Sequence, residues 1–394
     1  MKVRMLLAVL AAGLACSAAY VPEKWNLEAR RRFAEQRFGI FIHWGLYATY
    51  AQGEWYQHAI GMDTATYGRA MDGFCPSKFD AKEWVRVFRQ AGAKYVTVTS
   101  RHHDGFSLWP TKADDGYNVA NTPFGRDILG ELSEACGEAG LQLNFYYSLM
   151  DWHRADYPPG SRSKRVFGGQ KGDYASYKRF MLAQIDELIE RYRPGNIWLD
   201  GEWDHASKKN GTWQRTLDWD FDSIYDLIHA KHVLVANNNH QPIRDKEDIQ
   251  LFERDLPGEN KGGFSKDQTV AQDRPIEQCD VVQHNVWGYR IGEKRFRTAA
   301  EVCGMIVKSA AKDSNLLMNV GPDGSGRLPA KAVEVLQEVG KWMEKNGHAI
   351  YATRGAGLET EMDGTVVAKT RKGETVFTFR IAKGGIPVLM GSGR

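Results

Sequence analysis

Short apolar runs alternate along the chain with longer stretches in which apolar side chains recur every third or fourth position. The runs at 37–43, 94–99, 141–148, 196–200, 232–236 and 315–320, with shorter ones at 248–252 and 279–283, read as strands. Helical spacing covers 24–36, 81–91, 127–139, 174–192, 223–230, 298–311 and 332–345. Strands apolar on both faces and separated by helices predict a parallel sheet. No glycine-rich phosphate fingerprint follows the first strand, so the expected fold is α/β, a (β/α)8-like TIM barrel, rather than a dinucleotide-binding sheet. Past Tyr351 the period changes: 365–370 and 375–381 alternate about Lys372 and Gly373, as a hairpin does. The expected division is a leader at 1–19, a barrel at 20–350 and a short β-rich appendage at 351–394. Two long connections stand out, an aromatic one at 46–76 and a polar one at 261–272 that reads as mobile.

A length of 394 residues with 42% hydrophobic content supports one large core. Met1 to Arg4 are basic, 5–15 are apolar but too short to span a bilayer, and Ser17, Ala18 and Ala19 are small. That pattern predicts a secretory signal cut near Ala18 or Ala19 and an exported protein, periplasmic or extracellular. Gly13, Leu14 and Ala15 match a lipidation signal at Cys16 poorly. The formal charge is +3, and roughly +1 once Lys2 and Arg4 leave, which points to no nucleic acid and no membrane surface as partner. No other stretch is apolar and long enough to span a membrane. Cys75, Cys136, Cys279 and Cys303 are too widely spaced for paired zinc ligands, and their even number in an exported chain permits disulfides without requiring them.

Carboxylates, imidazoles and aromatic rings gather just after the strands: His43, Glu54, Trp55, His102, His103, Tyr146, Trp198, Asp200, Glu253, Glu277 and Trp287. Aromatic faces stack on the apolar faces of sugar rings, while imidazoles and carboxylates bond hydroxyls. In 196–200 an alternating strand turns Trp198 and Asp200 to one side, at the end from which barrel enzymes work. Against this, an Asp there often only caps the next element. Glycoside hydrolysis needs two facing carboxyl groups, one ionised and one protonated. Glu253, ending a short strand before a loop, suits the protonated role better than Glu277, which reads as buried support, or Glu54, which is placed to bind hydroxyls. An apolar surround is expected to raise the pKa of Glu253 above that of Asp200, whose hydrogen-bonding neighbours keep it ionised. Two other classes use similar residues: a metal-dependent barrel hydrolase built on His43, His102, His103 and Asp200, and a non-catalytic sugar-binding protein.

Several separate pieces, in order, resemble the α-L-fucosidases of glycoside hydrolase family 29, over about residues 25–354. They are Arg37-Phe-Gly-Ile-Phe-Ile-His-Trp-Gly45, Gly53-Glu-Trp-Tyr56, Arg101-His-His-Asp-Gly-Phe106, Trp198-Leu-Asp-Gly201, Phe252-Glu-Arg-Asp-Leu-Pro-Gly258 and Asn315-Leu-Leu-Met-Asn-Val-Gly-Pro322. The resemblance implies an exo-acting, retaining hydrolase of terminal fucosyl residues on glycans, with no cofactor and no metal. It assigns the nucleophile to Asp200 and the acid/base to Glu253, with Glu277 in reserve, and implies carboxyl oxygens roughly 5 to 5.5 Å apart. Fucose hydroxyls fall to His43, Glu54, His102 and His103, and ring or methyl contacts to Tyr146, Trp55 and Trp198; Trp287 joins them as a further substrate-binding residue. The chain departs from the family at Asn237-Asn-Asn-His240, where many members carry an arginine, and its C-terminal β-sandwich is shortened. Linkage preference and oligomeric state are not legible.

Overall fold

The computed structural model describes residues 20–114, 116–167, 170–210, 212–238 and 240–393. The expected leader and Cys16 lie outside them. Eight strands form one parallel sheet: β1 (Phe38–Ile42), β2 (Tyr95–Arg101), β3 (Gln142–Ser148), β4 (Asn196–Asp200), β7 (Leu234–Asn238), β8 (Gln250–Glu253), β9 (Ile276–Val281) and β10 (Ser314–Val320). Each pairs with its neighbour in chain order, β10 pairs back to β1, and a parallel bridge from Ala236 to Ile249 closes the ring between β7 and β8. This is the expected barrel.

Two layers of apolar contact hold it. Side chains facing outward pack under the helices, while Phe41, Tyr95, Tyr146, Trp198, Leu234, Ala236, Leu251, Cys279 and Leu317 fill the interior. The helix Lys24–Gln36 plugs the lower end: Phe33 meets Tyr95 at 5.2 Å between ring centroids, and buried Arg30 pairs with Asp248 at 2.8 Å. Several of the outer helices start on side-chain caps. Asp127 accepts from Gly130 N at 2.9 Å, and Thr298 and Glu301 form a reciprocal capping box, so Asp127 and Thr298 precede the first helical position rather than occupying it.

Several expected elements change. The 46–76 connection is not an open loop: it carries short helices at Tyr56–Ile60 and Thr64–Gly68 and 3-10 turns at Leu46–Tyr50 and Arg69–Gly73. A hairpin absent from the expected elements, β5 (Ala206–Lys209) with β6 (Thr212–Arg215), follows β4, with the turn dipeptide Asn210-Gly211 between its strands in the sequence. At the C-terminus, β11 (Arg354–Thr360), β12 (Val366–Lys372), β13 (Thr375–Ile381) and β14 (Val388–Gly393) make one antiparallel sheet. Its inner face is covered by helices instead of a second sheet, with Phe379 6.0 Å from Trp342 on the helix Ala330–Asn346. The four described cysteines are unpaired, Cys75 exposed and the other three buried. Among the described residues no helix is long and apolar enough to cross a membrane.

Candidate active site

A cavity of about 680 Å³ opens at the C-terminal ends of the barrel strands, the end where this architecture places its chemistry. His43, Glu54, Trp55, His102, His103, Tyr146, Trp198, Asp200, Glu253 and Trp287 all line it. Glu277 does not. It sits in the barrel below Trp198, accepting from Trp198 Nε1 at 3.0 Å and from the Tyr95 hydroxyl at 2.6 Å, and burial pushes its pKa to about 7. That corrects its place as reserve acid: a side chain on the inner face of β9, one turn of the pleat below the rim, reaches the floor and not the mouth.

Asp200 ends β4 and is buried. Its carboxylate accepts from the Tyr146 hydroxyl at 2.8 Å, Trp203 Nε1 at 3.0 Å and Asn238 Nδ2 at 3.3 Å. It caps nothing: the turn that follows begins at Gly201, whose φ of 96° ends the strand and where a Cβ would lie 2.9 Å from Met150 N. Glu253, at the end of β8, accepts from His240 Nε2 and from the same Asn238 Nδ2, both at 2.9 Å. One amide nitrogen thus bridges the two carboxylates, and its two bonds keep an oxygen of each within about 6 Å of the other.

The charge order reverses the expectation. Burial, and next the charge of Glu253, raise Asp200 to about 6. Burial alone would raise Glu253 as well, but the hydrogen bond and positive charge of His240, with Asn238 and Arg254, outweigh it and hold Glu253 below the ordinary carboxylate range. The same bond lifts His240 above its usual value despite burial. An imidazole supplied by the connection after β7 decides the matter, and apolar neighbours along the sequence of Glu253 do not.

Burial keeps His43, His102 and His103 neutral, and for His43 and His103 a hydrogen bond fixes which nitrogen faces the cavity. Asn319 gives its Nδ2 to Trp287 O at 2.7 Å, so its Oδ1 accepts from His43 Nδ1 at 2.7 Å and leaves His43 Nε2 an acceptor. Burial drops His43 to about 3. Ser148 donates to Met150 O and accepts from His103 Nδ1 at 2.7 Å, leaving His103 Nε2 as an acceptor 3.6 Å from Asp200 Oδ2. Burial also lowers His102 and His103, followed by neighbouring histidine charges. Glu54, raised by burial, is anchored by Gly288 N at 2.7 Å and Trp287 N at 3.2 Å. Acceptors thus ring the floor, as a polyhydroxyl ligand requires, and Trp55 stacked on Trp203 at 5.7 Å walls one side. Among the described residues no group of three His, Cys, Asp or Glu could hold a metal ion.

The family model for α-L-fucosidase matches residues 8–348. The chain belongs to the α-L-fucosidase family. It is 30% identical over 390 residues to the tissue α-L-fucosidase of Rattus norvegicus, covering 91% of this chain and 78% of that protein. The Dictyostelium discoideum α-L-fucosidase is 28% identical over 348 residues, 82% of this chain and 71% of that one. Among solved structures, α-L-fucosidase isoenzyme 1 from Paenibacillus thiaminolyticus superposes with a TM-score of 0.79 at 31% identity, covering 91% of this chain and 85% of the other. A fucosidase from Bacteroides thetaiotaomicron, solved as a trapped covalent intermediate, superposes with a TM-score of 0.73 at 30% identity, covering 91% and 86%.

Asn238, His240, Trp203, Arg254, Trp213 and Phe264 also line the cavity of this fucosidase family member, and none was singled out from the sequence as a site residue. Asn238 carried a readable signal: on β7 it shares parity with the interior residues Ala236 and Leu234, at the strand's C-terminal end.

Proposed function

We propose that the protein is an exo-acting α-L-fucosidase that releases terminal fucosyl residues from glycans with retention, Asp200 being the nucleophile and Glu253 the acid/base. The observation that supports this reading is the Asn238 bridge, which keeps an oxygen of each carboxylate within about 6 Å of the other, short of the roughly 6.5 to 9.5 Å that fitting a water between two carboxyl groups requires. Asp200 attacks the anomeric carbon while Tyr146, Trp203 and Asn238 orient it. The floor residues His43, His102, His103 and Glu54 take fucose hydroxyls, and Tyr146, Trp55, Trp198 and Trp287 take its ring and methyl faces.

The acid proton has a ready source. In the free site it rests on His240 Nε2, bonded to ionised Glu253 at 2.9 Å. Moving it along that bond makes Glu253 the acid and His240 a neutral imidazole, with no net charge entering the buried site. Glu253 passes the proton to the departing oxygen and, as a carboxylate, next deprotonates the water that releases fucose. The decisive experiment follows the first-formed sugar by NMR during hydrolysis of an aryl α-L-fucoside. α-Fucose appearing before mutarotation is expected, and β-fucose appearing first would overturn the assignment. Export by cleavage near Ala18 or Ala19 is part of the same proposal, supported by the basic and apolar pattern of 1–19; Edman sequencing of the secreted protein checks it.

A further inference from the structure

The cavity, at about 680 Å³, is several times what one deoxyhexose ring fills. The floor residues account for its inner part. Its outer part lies against two segments that the barrel does not need, the β5–β6 hairpin and the loop that follows β8. We propose that this outer part is a binding site for the sugar that carries the fucose, a pyranose gripped by Trp213 and Phe264. The proposal rests on the fucosidase reading above and adds which residues recognise the leaving group and what kind of group it is.

Trp213 sits on a two-stranded hairpin with no core of its own, opposite Lys208, whose ammonium lies 5.8 Å over the indole. The ring borders the cavity, and its Nε1 is shielded from solvent with no hydrogen-bond partner. A buried donor left unmade is costly, and a sugar hydroxyl entering the cavity would satisfy it. Phe264, in an otherwise polar loop, is 39% exposed and so presents part of its ring as an accessible aromatic face. Its ring also borders the cavity and stacks on His240 with centroids 4.9 Å apart and planes 26° from parallel.

The two walls are tied together, since Lys208 on the hairpin is ion-paired with Asp267 in the Phe264 loop. Their position identifies the occupant. Phe264 stacks on His240, and His240 bonds Glu253, so this wall stands on the side of the acid. The acid must face the departing oxygen, so the group beyond it is the leaving group. Two aromatic faces suit a pyranose with an apolar face, which stacks, over a small or highly charged alcohol, which does not.

The test compares kcat/KM of wild type, Trp213→Ala and Phe264→Ala on α-L-fucosyl fluoride, which places nothing in the outer part, and on a panel of α-L-fucosyl disaccharides of different linkage. The ratio of disaccharide to fluoride kcat/KM is expected to fall about tenfold or more in each variant on the wild type's best disaccharide, chiefly through KM. Fluoride hydrolysis reports at the same time that the variants are folded. A ratio within about twofold of wild type in both variants overturns the inference, as does a wild type that hydrolyses the fluoride and no disaccharide. A wild type inert on both substrates overturns the fucosidase reading itself.

Discussion

Replacing Glu253 by Gln removes a negative charge from beside Asp200 with little change of shape. Asp200 stands at about 6, raised first by burial and second by that charge, while the charge of His240 pulls the other way. For unit charges about 6 Å apart at an effective dielectric constant near 20, Coulomb's law gives roughly 3 kcal/mol, or about 2 pH units. Part of this is offset. The raised pKa of His240 depends on Glu253, so the imidazole of the variant loses its own charge and its pull on Asp200. A net fall of about 1 unit remains for Asp200. An acid whose pKa falls stays ionised to lower pH, so the acid limb of activity should move down from about pH 6 by about 1 unit. The assay is kcat/KM against pH on α-L-fucosyl fluoride, whose leaving group needs no proton, so the variant keeps a measurable rate through the first step and the profile reports the free enzyme. A limb that stays in place, or moves up, would refute the coupling and with it the pairing of these two carboxylates across one site.

Asp200→Gly should lower turnover by about 10⁴-fold or more, and azide should restore part of it as β-L-fucosyl azide, because the Tyr146, Trp203 and Asn238 donors then surround a vacated anion site. Product NMR checks this, and no rescue would make Asp200 a structural residue. Glu277→Ala strands the Tyr95 hydroxyl and Trp198 Nε1 in the barrel and should cost about 2 to 4 kcal/mol in urea unfolding; a stable but inactive variant would restore Glu277 as a candidate acid. The folded pKa of Glu277 is raised to about 7, so its stabilising contribution is present at low pH and lost as pH rises through 7. Glu277→Gln should therefore flatten the wild-type decline in stability over that window, by on the order of 3 kcal/mol, and parallel declines in urea titrations would contradict this. Prolonged dialysis against EDTA should leave hydrolysis intact, whereas loss reversed by a divalent ion would favour the metal-dependent class.

Burial and period are properties of a local stretch, and they made the barrel legible. The runs at 196–200 and 315–320 are apolar because both faces of those strands are covered, and β4 and β10 lie there within a residue. The parity of Trp198 and Asp200 likewise followed from the pleat alone. The β5–β6 hairpin was missed although Asn210-Gly211 offers a turn signal: its strands are exposed and polar, Lys208, Lys209 and Thr212 among them, with no face buried deeply enough to leave the alternation that would have turned that dipeptide into a hairpin. In the aromatic connection at 46–76, helices of five residues are too short to show a period.

The site divides along the same line. Which residues crowd the rim could be read from strand ends, but which of two carboxylates holds a proton depends on a partner brought in through space. Apolar neighbours in sequence suggested a protonated Glu253, and His240 reverses that order from the end of a different strand, thirteen positions earlier in the chain. The departure at Asn237-Asn-Asn-His240 was visible as a missing arginine, and its consequence only becomes physical once Asn238 and His240 are seen to converge on Glu253. In place of one permanently charged guanidinium, the site has a neutral amide that spaces the two acids and an imidazole that can give its charge up. A guanidinium keeps its charge at any working pH, whereas an imidazole can hand its proton back to Glu253, which is what the acid role proposed for Glu253 requires.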